Sequence, residues 1–184
     1  DVYKRQIELS STDKPITHVR LNIYPDGGLA RLRLYGRFVL DPVRFEGEVD
    51  LAAAVNGGNA VVWNDSQWGH PQLILMPGRG VNMGDGWETR RRREPGYDWV
   101  IVRLGLPGVV NRLEIDTTHF KGNFPDRCSA EAAYLPGAAP ASLASRSMFW
   151  ESLLDPVPMR ADEVHTFPGV RSHGPVCLLY TSPS

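Results

Sequence analysis

The stretch "DWVIVRLGLPGVVNRLEIDTTHF", Asp98 to Phe120, decides the class of fold. Trp99 to Leu104 and Val109 to Ile115 read as a pair of strands on either side of a Leu-Pro-Gly turn. A second hairpin is legible in "THVRLNIYPDGGLARLRLYGR", Thr17 to Arg37. There Val19, Leu21 and Ile23 alternate with polar residues, as do Ala30, Leu32 and Leu34, so each strand has one core face and one wet face. Pro25 fixes its own φ at the reversal, and Gly27 and Gly28 accept positive φ. "GNAVVWND", Gly58 to Asp65, adds a further strand. Only "ASLASRSMFWESLL", Ala141 to Leu154, offers a helix; it is bracketed by Pro140 and Pro156, and its weak 3.6 period fits extended chain equally well. With 15 prolines and 18 glycines cutting the chain into short segments, the expectation is an all-β sandwich with long polar connections.

Composition narrows the function classes. A chain of 184 residues, 42% hydrophobic, supports one core of ordinary size. Its 20 Lys+Arg against 21 Asp+Glu leave a net charge of -1, so bulk charge points to no nucleic-acid partner. No apolar run approaches the roughly 20 residues of a membrane-spanning helix, and no charged-then-apolar leader opens the chain. It reads as soluble and intracellular, with no membrane partner. Cys128 and Cys177 lack the spacing of a zinc site or a disulfide framework and read as buried or incidental thiols.

The chemistry is expected in the connections, since loops on a rigid sandwich can gather polar groups that a core excludes. The densest is "GRGVNMGDGWETRRRREPGYDW", Gly78 to Trp99. Arg90 to Arg93 would ordinarily be a solvated face or a nucleic-acid patch. On an extended backbone, however, Arg90 and Arg92 face one way and Arg91 and Arg93 the other. An inward pair beside Asp85 and Glu88 makes a clamp for a small anion, because guanidinium binds carboxylate bidentately. The second cluster, "EIDTTHFKGNFPD", Glu114 to Asp126, places Asp116, Thr118, His119, Lys121 and Asn123 directly after a strand. A lone histidine is more often structural than a base or ligand, but here it is crowded by a carboxylate, an ammonium and an amide.

Three runs in the chain, "NIYPDGGLARLRLYG", "MPGRGVNMGDGWETRRRREPGYDWVIVRLGLPG" and "EIDTTHFKGNFPD", closely resemble the allantoicase family, and the resemblance extends over about Thr17 to Val176. It implies two homologous repeats, each a jelly-roll sandwich similar to galactose-binding and discoidin-type modules. On that pattern residues 7–48 are the closing hairpin of the first repeat plus a connection. Residues 49–176 are the second repeat without its own closing hairpin. Residues 1–6 and 177–184, "DVYKRQ" and "CLLYTSPS" at their cores, depart from the pattern, resemble translated adaptor sequence and are set aside from the fold. The hairpin is then expected to substitute for the missing one, with Val19, Leu21, Ile23, Leu32 and Leu34 packing into the second repeat; the rival is a hairpin docked on an outer surface.

The resemblance further implies hydrolysis of allantoate to ureidoglycolate and urea, a small-molecule ureide substrate, a cytoplasmic location and a homo-oligomeric parent protein. Such a site needs an acid for the departing nitrogen, a base, and cations for the substrate carboxylate. Asp85, Glu88 and His119 are the candidates for proton transfer, Arg90, Arg92 and Lys121 for the anion, and Asn123 for the ureido group. Cofactor use is open: Asp116 and His119, at i and i+3, would ligate a divalent metal only if other ligands converged. The alternative is a non-catalytic ligand-binding sandwich, which the fold alone equally permits.

Overall fold

The computed structural model describes residues 19–24, 27, 47–171 and 174–183. The chain divides into two compact units, Asp1–Val49 and Asp50–Ser184. In the first, residues 19–24 form no strand, and Val19, Leu21 and Ile23 are exposed at 55%, 50% and 42%. The expectation that these three enter a core is not met. Leu32 and Leu34 lie outside the described residues.

In the second unit the described residues form strands β1 (Asn59–Trp63), β2 (Val100–Gly108), β3 (Arg112–Asp116), β4 (Arg127–Ala133), β5 (Glu151–Pro158), β6 (Val164–Pro168) and β7 (Val176–Pro183), with a helix α1 at Pro140–Arg146. A five-stranded sheet runs in the order β1-β2-β7-β4-β5, a two-stranded sheet pairs β3 with β6, and every pairing is antiparallel. The expected all-β sandwich is therefore what the chain forms.

Two expectations need correction. The Leu-Pro-Gly element is not a hairpin turn: β2 runs on through Pro107 to Gly108, and β2 and β3 belong to different sheets. The proline is tolerated because the register with β7 shifts between Arg103 and Gly108, so its missing N–H falls where the ladder is already interrupted. The chain then crosses to the second sheet, with Val110 turned against the core. The second correction concerns the tail. Residues 177–184 are set aside from the fold in the sequence reading, yet Val176–Pro183 is the strand between β2 and β4. Its "VCLLY" is apolar on both faces, and a strand between two others, in a sheet covered on both sides, has a place for that pattern.

The covering is what makes the sheet a core. Between the sheets Val100, Val102 and Leu104 of β2 meet Ala60, Ala130, Ala132, Leu153 and Leu179, with Leu113 of β3 packed against them. On the opposite face Ile101, Leu178 and Tyr180 gather around Leu143 of α1, which is wholly buried. Residues 141–154, ambiguous in sequence, divide between the two readings: Pro140 opens a helix at its first position, where its missing N–H costs nothing, and the chain is extended from Glu151. A close backbone approach beside β2 requires glycine, since a Cβ on Gly105 would lie 1.9 Å from the Asn56 carbonyl oxygen. Both cysteines are free and buried, and burial pushes the Cys128 thiol up to about 11.

Candidate active site

Strand register decides where the polar loops meet. Trp63 pairs with Val100, Asp116 with Val164, and Arg127 with Pro158. The segments 64–99, 117–126 and 159–163 therefore leave their sheets at paired strand ends.

The position of Glu88 is set first by its backbone. Its N–H donates to the Trp68 carbonyl at 2.8 Å, and its own carbonyl accepts from Gln67 and Trp68 at 3.0 Å each. This two-residue ladder needs Gly69, whose φ is 69° and whose added Cβ would lie 1.9 Å from the Gly86 oxygen. Trp87, next along, packs on the core and donates its indole N–H to the Asp65 carbonyl at 2.9 Å. On an extended chain the Glu88 side chain must then turn away from the core. There it accepts from Asn123 Nδ2 at 2.8 Å.

His119 reaches the same loop from the other side. Its Nε2 lies 2.9 Å from the Gly80 carbonyl oxygen, and because a carbonyl only accepts, Nε2 carries the proton and Nδ1 is the second ring nitrogen left to exchange one. The residue has φ 75°, and Asp162 has φ 54°; among the described residues these are the two non-glycine positions in the left-handed region. They hold each other, for the His119 N–H donates to Asp162 Oδ1 at 2.7 Å. Asp162 also pairs with Lys121 at 3.6 Å. The His119 N–H chiefly, with Lys121 adding, holds the Asp162 carboxyl below the usual carboxylate range. Beneath them Thr117, 4% exposed, donates its hydroxyl to the Arg160 carbonyl at 2.6 Å and shares a backbone bond with Glu163. Paired left-handed residues on a braced turn are the kind of local strain that concentrates at functional sites.

Asp85 plays a different part. Its carboxylate accepts from the Val81 and Asn82 N–H groups and closes a capping box on the short 3-10 turn Met83–Asp85. It shapes the loop whose Gly80 carbonyl meets His119. Asp85, Glu88, His119, Lys121 and Asn123 thus share one loop junction.

Arg90 and Arg92 sit in the groove alongside. Asp65 receives the Arg90 N–H at 2.7 Å together with its Nε and Nη2 at 3.0 and 2.7 Å, and these bonds lower the Asp65 carboxyl. Arg92 pairs with Asp98. Burial pushes the Asp98 carboxyl up, but hydrogen bonds from Thr89, Arg92 and Asn64 outweigh it and leave it lowered. Sequence reasoning does not single out Asp65, Asp98 or Asp162: Asp65 and Asp162 act on partners outside their own segments, and Asp98, although it closes the same polar run as Arg92, is six residues from it with nothing local to mark the pair. Asp116 and His119 do not converge on a metal: Asp116 binds the Thr118 N–H and hydroxyl, and among the described residues no group of three His, Cys, Asp or Glu is placed to hold one.

Fold and site together define a two-sheet β module with a cluster of charged and polar side chains on loops at one end. The chain belongs to the allantoicase family: the allantoicase repeat matches residues 2–39 and 49–178. It is 58% identical over 159 residues to probable allantoicase 2 of Burkholderia mallei, covering 85% of this chain and 47% of that protein. It is 50% identical over 164 residues to probable allantoicase of Acinetobacter baumannii, covering 89% and 49%. The crystal structure of the allantoicase of Saccharomyces cerevisiae superposes with a TM-score of 0.63 at 31% identity, over 73% of this chain and 39% of that one. The chain spans about half the length of the curated relatives it matches.

Proposed function

We propose that the loop junction of Glu88, His119 and Asn123 hydrolyses allantoate to ureidoglycolate and urea. The observation that carries the reading, within a chain of this family, is the Asn123 to Glu88 hydrogen bond at 2.8 Å beside a histidine whose Nε2 is committed to Gly80. The Asn123 amide fixes one oxygen of the Glu88 side chain and leaves the other directed into the junction, which suits Glu88 to act as base. His119, as an imidazolium whose Nε2–H stays on the Gly80 carbonyl, then gives its Nδ1 proton to the leaving group.

Urea leaves intact, so the bond that breaks joins the central carbon to a urea nitrogen. Its electron pair goes to that nitrogen, which takes a proton from His119. Glu88 removes a proton from water, whose oxygen ends on the central carbon, or first from the remaining ureido N–H, which then pushes out the leaving nitrogen before water adds. Either order conserves the same atoms. The substrate carboxylate is taken by the arginine segment, with Lys121 at the junction's edge. The non-catalytic alternative is disfavoured by these charges, which suit a carboxylate and proton transfer better than a sugar. Among the described residues no helix is long and apolar enough to cross a membrane, and the reading carries with it the cytoplasmic location and homo-oligomeric parent that the family resemblance implies.

The test is urea release from allantoate by this chain and by the full-length Burkholderia mallei relative, with Glu88→Gln and His119→Ala or their counterparts. Removing a general acid or base is expected to cost about 10²–10⁴-fold in kcat. Unimpaired release by both variants, or binding without turnover in the unaltered relative, overturns the proposal.

A further inference from the structure

The four-arginine run is divided by its partners. Arg90 is held by three hydrogen bonds on Asp65, whose side chain is 13% exposed. Arg92 is held on Asp98, whose side chain is 11% exposed. Those two forks face carboxylates that the protein supplies itself. Arg91 and Arg93 line the same groove, a space of about 410 Å³ that also includes Asn64, Asp65, Glu94 and Asp98. Neither has an ion pair among the described residues.

We infer that Arg91 and Arg93, not Arg90 and Arg92, take the carboxylate of the ureide substrate; this rests on the proposed hydrolysis. Counting the groove's charges, Asp65 neutralises Arg90 and Asp98 neutralises Arg92, so Arg91 and Arg93 face Glu94 alone and a net positive charge remains. Positions i and i+2 of an extended chain stand roughly 7 Å apart, a separation at which two guanidinium groups can converge on the two oxygens of one carboxylate. The paired arginines contribute indirectly. By binding loop 64–65 to segment 90–98 they stiffen the backbone carrying Arg91 and Arg93, so less rotational freedom is lost on binding. The same segment carries Glu88, three residues before Arg91, or roughly 10 Å at full extension. Alternation puts Glu88 on the face of Arg90 and Arg92, so Arg91 and Arg93 reach a ureide held at the Glu88–Asn123 bond by bending their long side chains around the edge of the segment.

The experiment titrates allantoate into the full 184-residue chain and into Arg91→Gln, Arg93→Gln and the double variant, following arginine Nε–H resonances by NMR. Saturable shifts of Arg91 and Arg93 are expected, with the double variant binding at least about tenfold more weakly, the equivalent of one lost charge-assisted contact. Allantoin, a ureide without the carboxylate, should leave those resonances in place. Unchanged affinity in the double variant, shifts confined to Arg90 and Arg92, or no saturable shift at millimolar allantoate overturns the assignment. Urea assays keep the two readings apart. Arg91- and Arg93-dependent binding with no turnover in the full-length relative defeats hydrolysis and spares the carboxylate site. Undiminished turnover and KM after the corresponding double substitution defeats the carboxylate site and spares hydrolysis.

Discussion

Replacing Leu178 with alanine tests whether the tail is part of the core. Leu178 is 1% exposed, pairs with Arg103 of β2 on one side and Ala133 of β4 on the other, and packs with Ile101, Leu143 and Tyr180. The substitution removes three carbons. At about 0.8 kcal/mol per buried methylene-sized group the transfer loss alone is about 2.4 kcal/mol, and the cavity beneath α1 carries the total to about 3–5 kcal/mol. Against a typical domain stability of about 5–15 kcal/mol, that loss is a large shift of the urea unfolding midpoint at unchanged slope. The assay is equilibrium urea unfolding followed by circular dichroism, with amide exchange at Leu178 and Leu179 as a local probe. Were residues 177–184 an appended tail, the change would stay within about 0.5 kcal/mol, and those amides would exchange as fast as free peptide. That result would refute β7 as the strand between β2 and β4.

Asp162→Ala should lower kcat for urea release by freeing the His119 backbone from its left-handed conformation, while Asp162→Asn, which keeps an acceptor for the His119 N–H, should recover most of the loss. Equal losses in both variants would assign the effect to the Lys121 pair instead. Thr117→Val removes the hydroxyl that the Arg160 carbonyl relies on and should cost about 1–3 kcal/mol, read as a lower Tm. Asp65, Asp98 and Asp162 all have lowered carboxyls in the folded chain. Their stabilisation is therefore present above the unfolded value of about 3.9 and lost as pH falls through the folded values. Tm measured from pH 7 to pH 2 should drop steeply below about pH 4, and Asp98→Asn should flatten that drop; a pH-independent Tm would refute the linkage.

The sandwich was legible because alternation and turn residues are local. "GNAVVWND" became β1, and "WVIVRL" became the body of β2. Pairing was not legible, because it depends on strands far apart in sequence. Val109 to Ile115 follows β2 immediately, yet its strand joins β6, some fifty residues on. "CLLYT" is set aside for its departure from a family pattern, whereas a slot between two strands selects on apolarity and β-propensity alone. Position in the sheet, not pedigree, determines whether such a segment is buried.

The site divides along the same line. That Glu88, His119 and Asn123 lie at one loop junction is legible because two polar clusters each follow or precede a strand, and paired strand ends bring such loops together. The arginines could be located but not sorted. Two-residue alternation predicts which pair shares a face, but it says nothing about which face holds Asp65 and Asp98, two residues at strand boundaries. A carboxylate already in place changes the meaning of an inward arginine from a ligand-binding group to a brace. The free charge then passes to the neighbours that alternation had turned outward, and the functional reading of "RRRR" depends on which acids the fold brings against it.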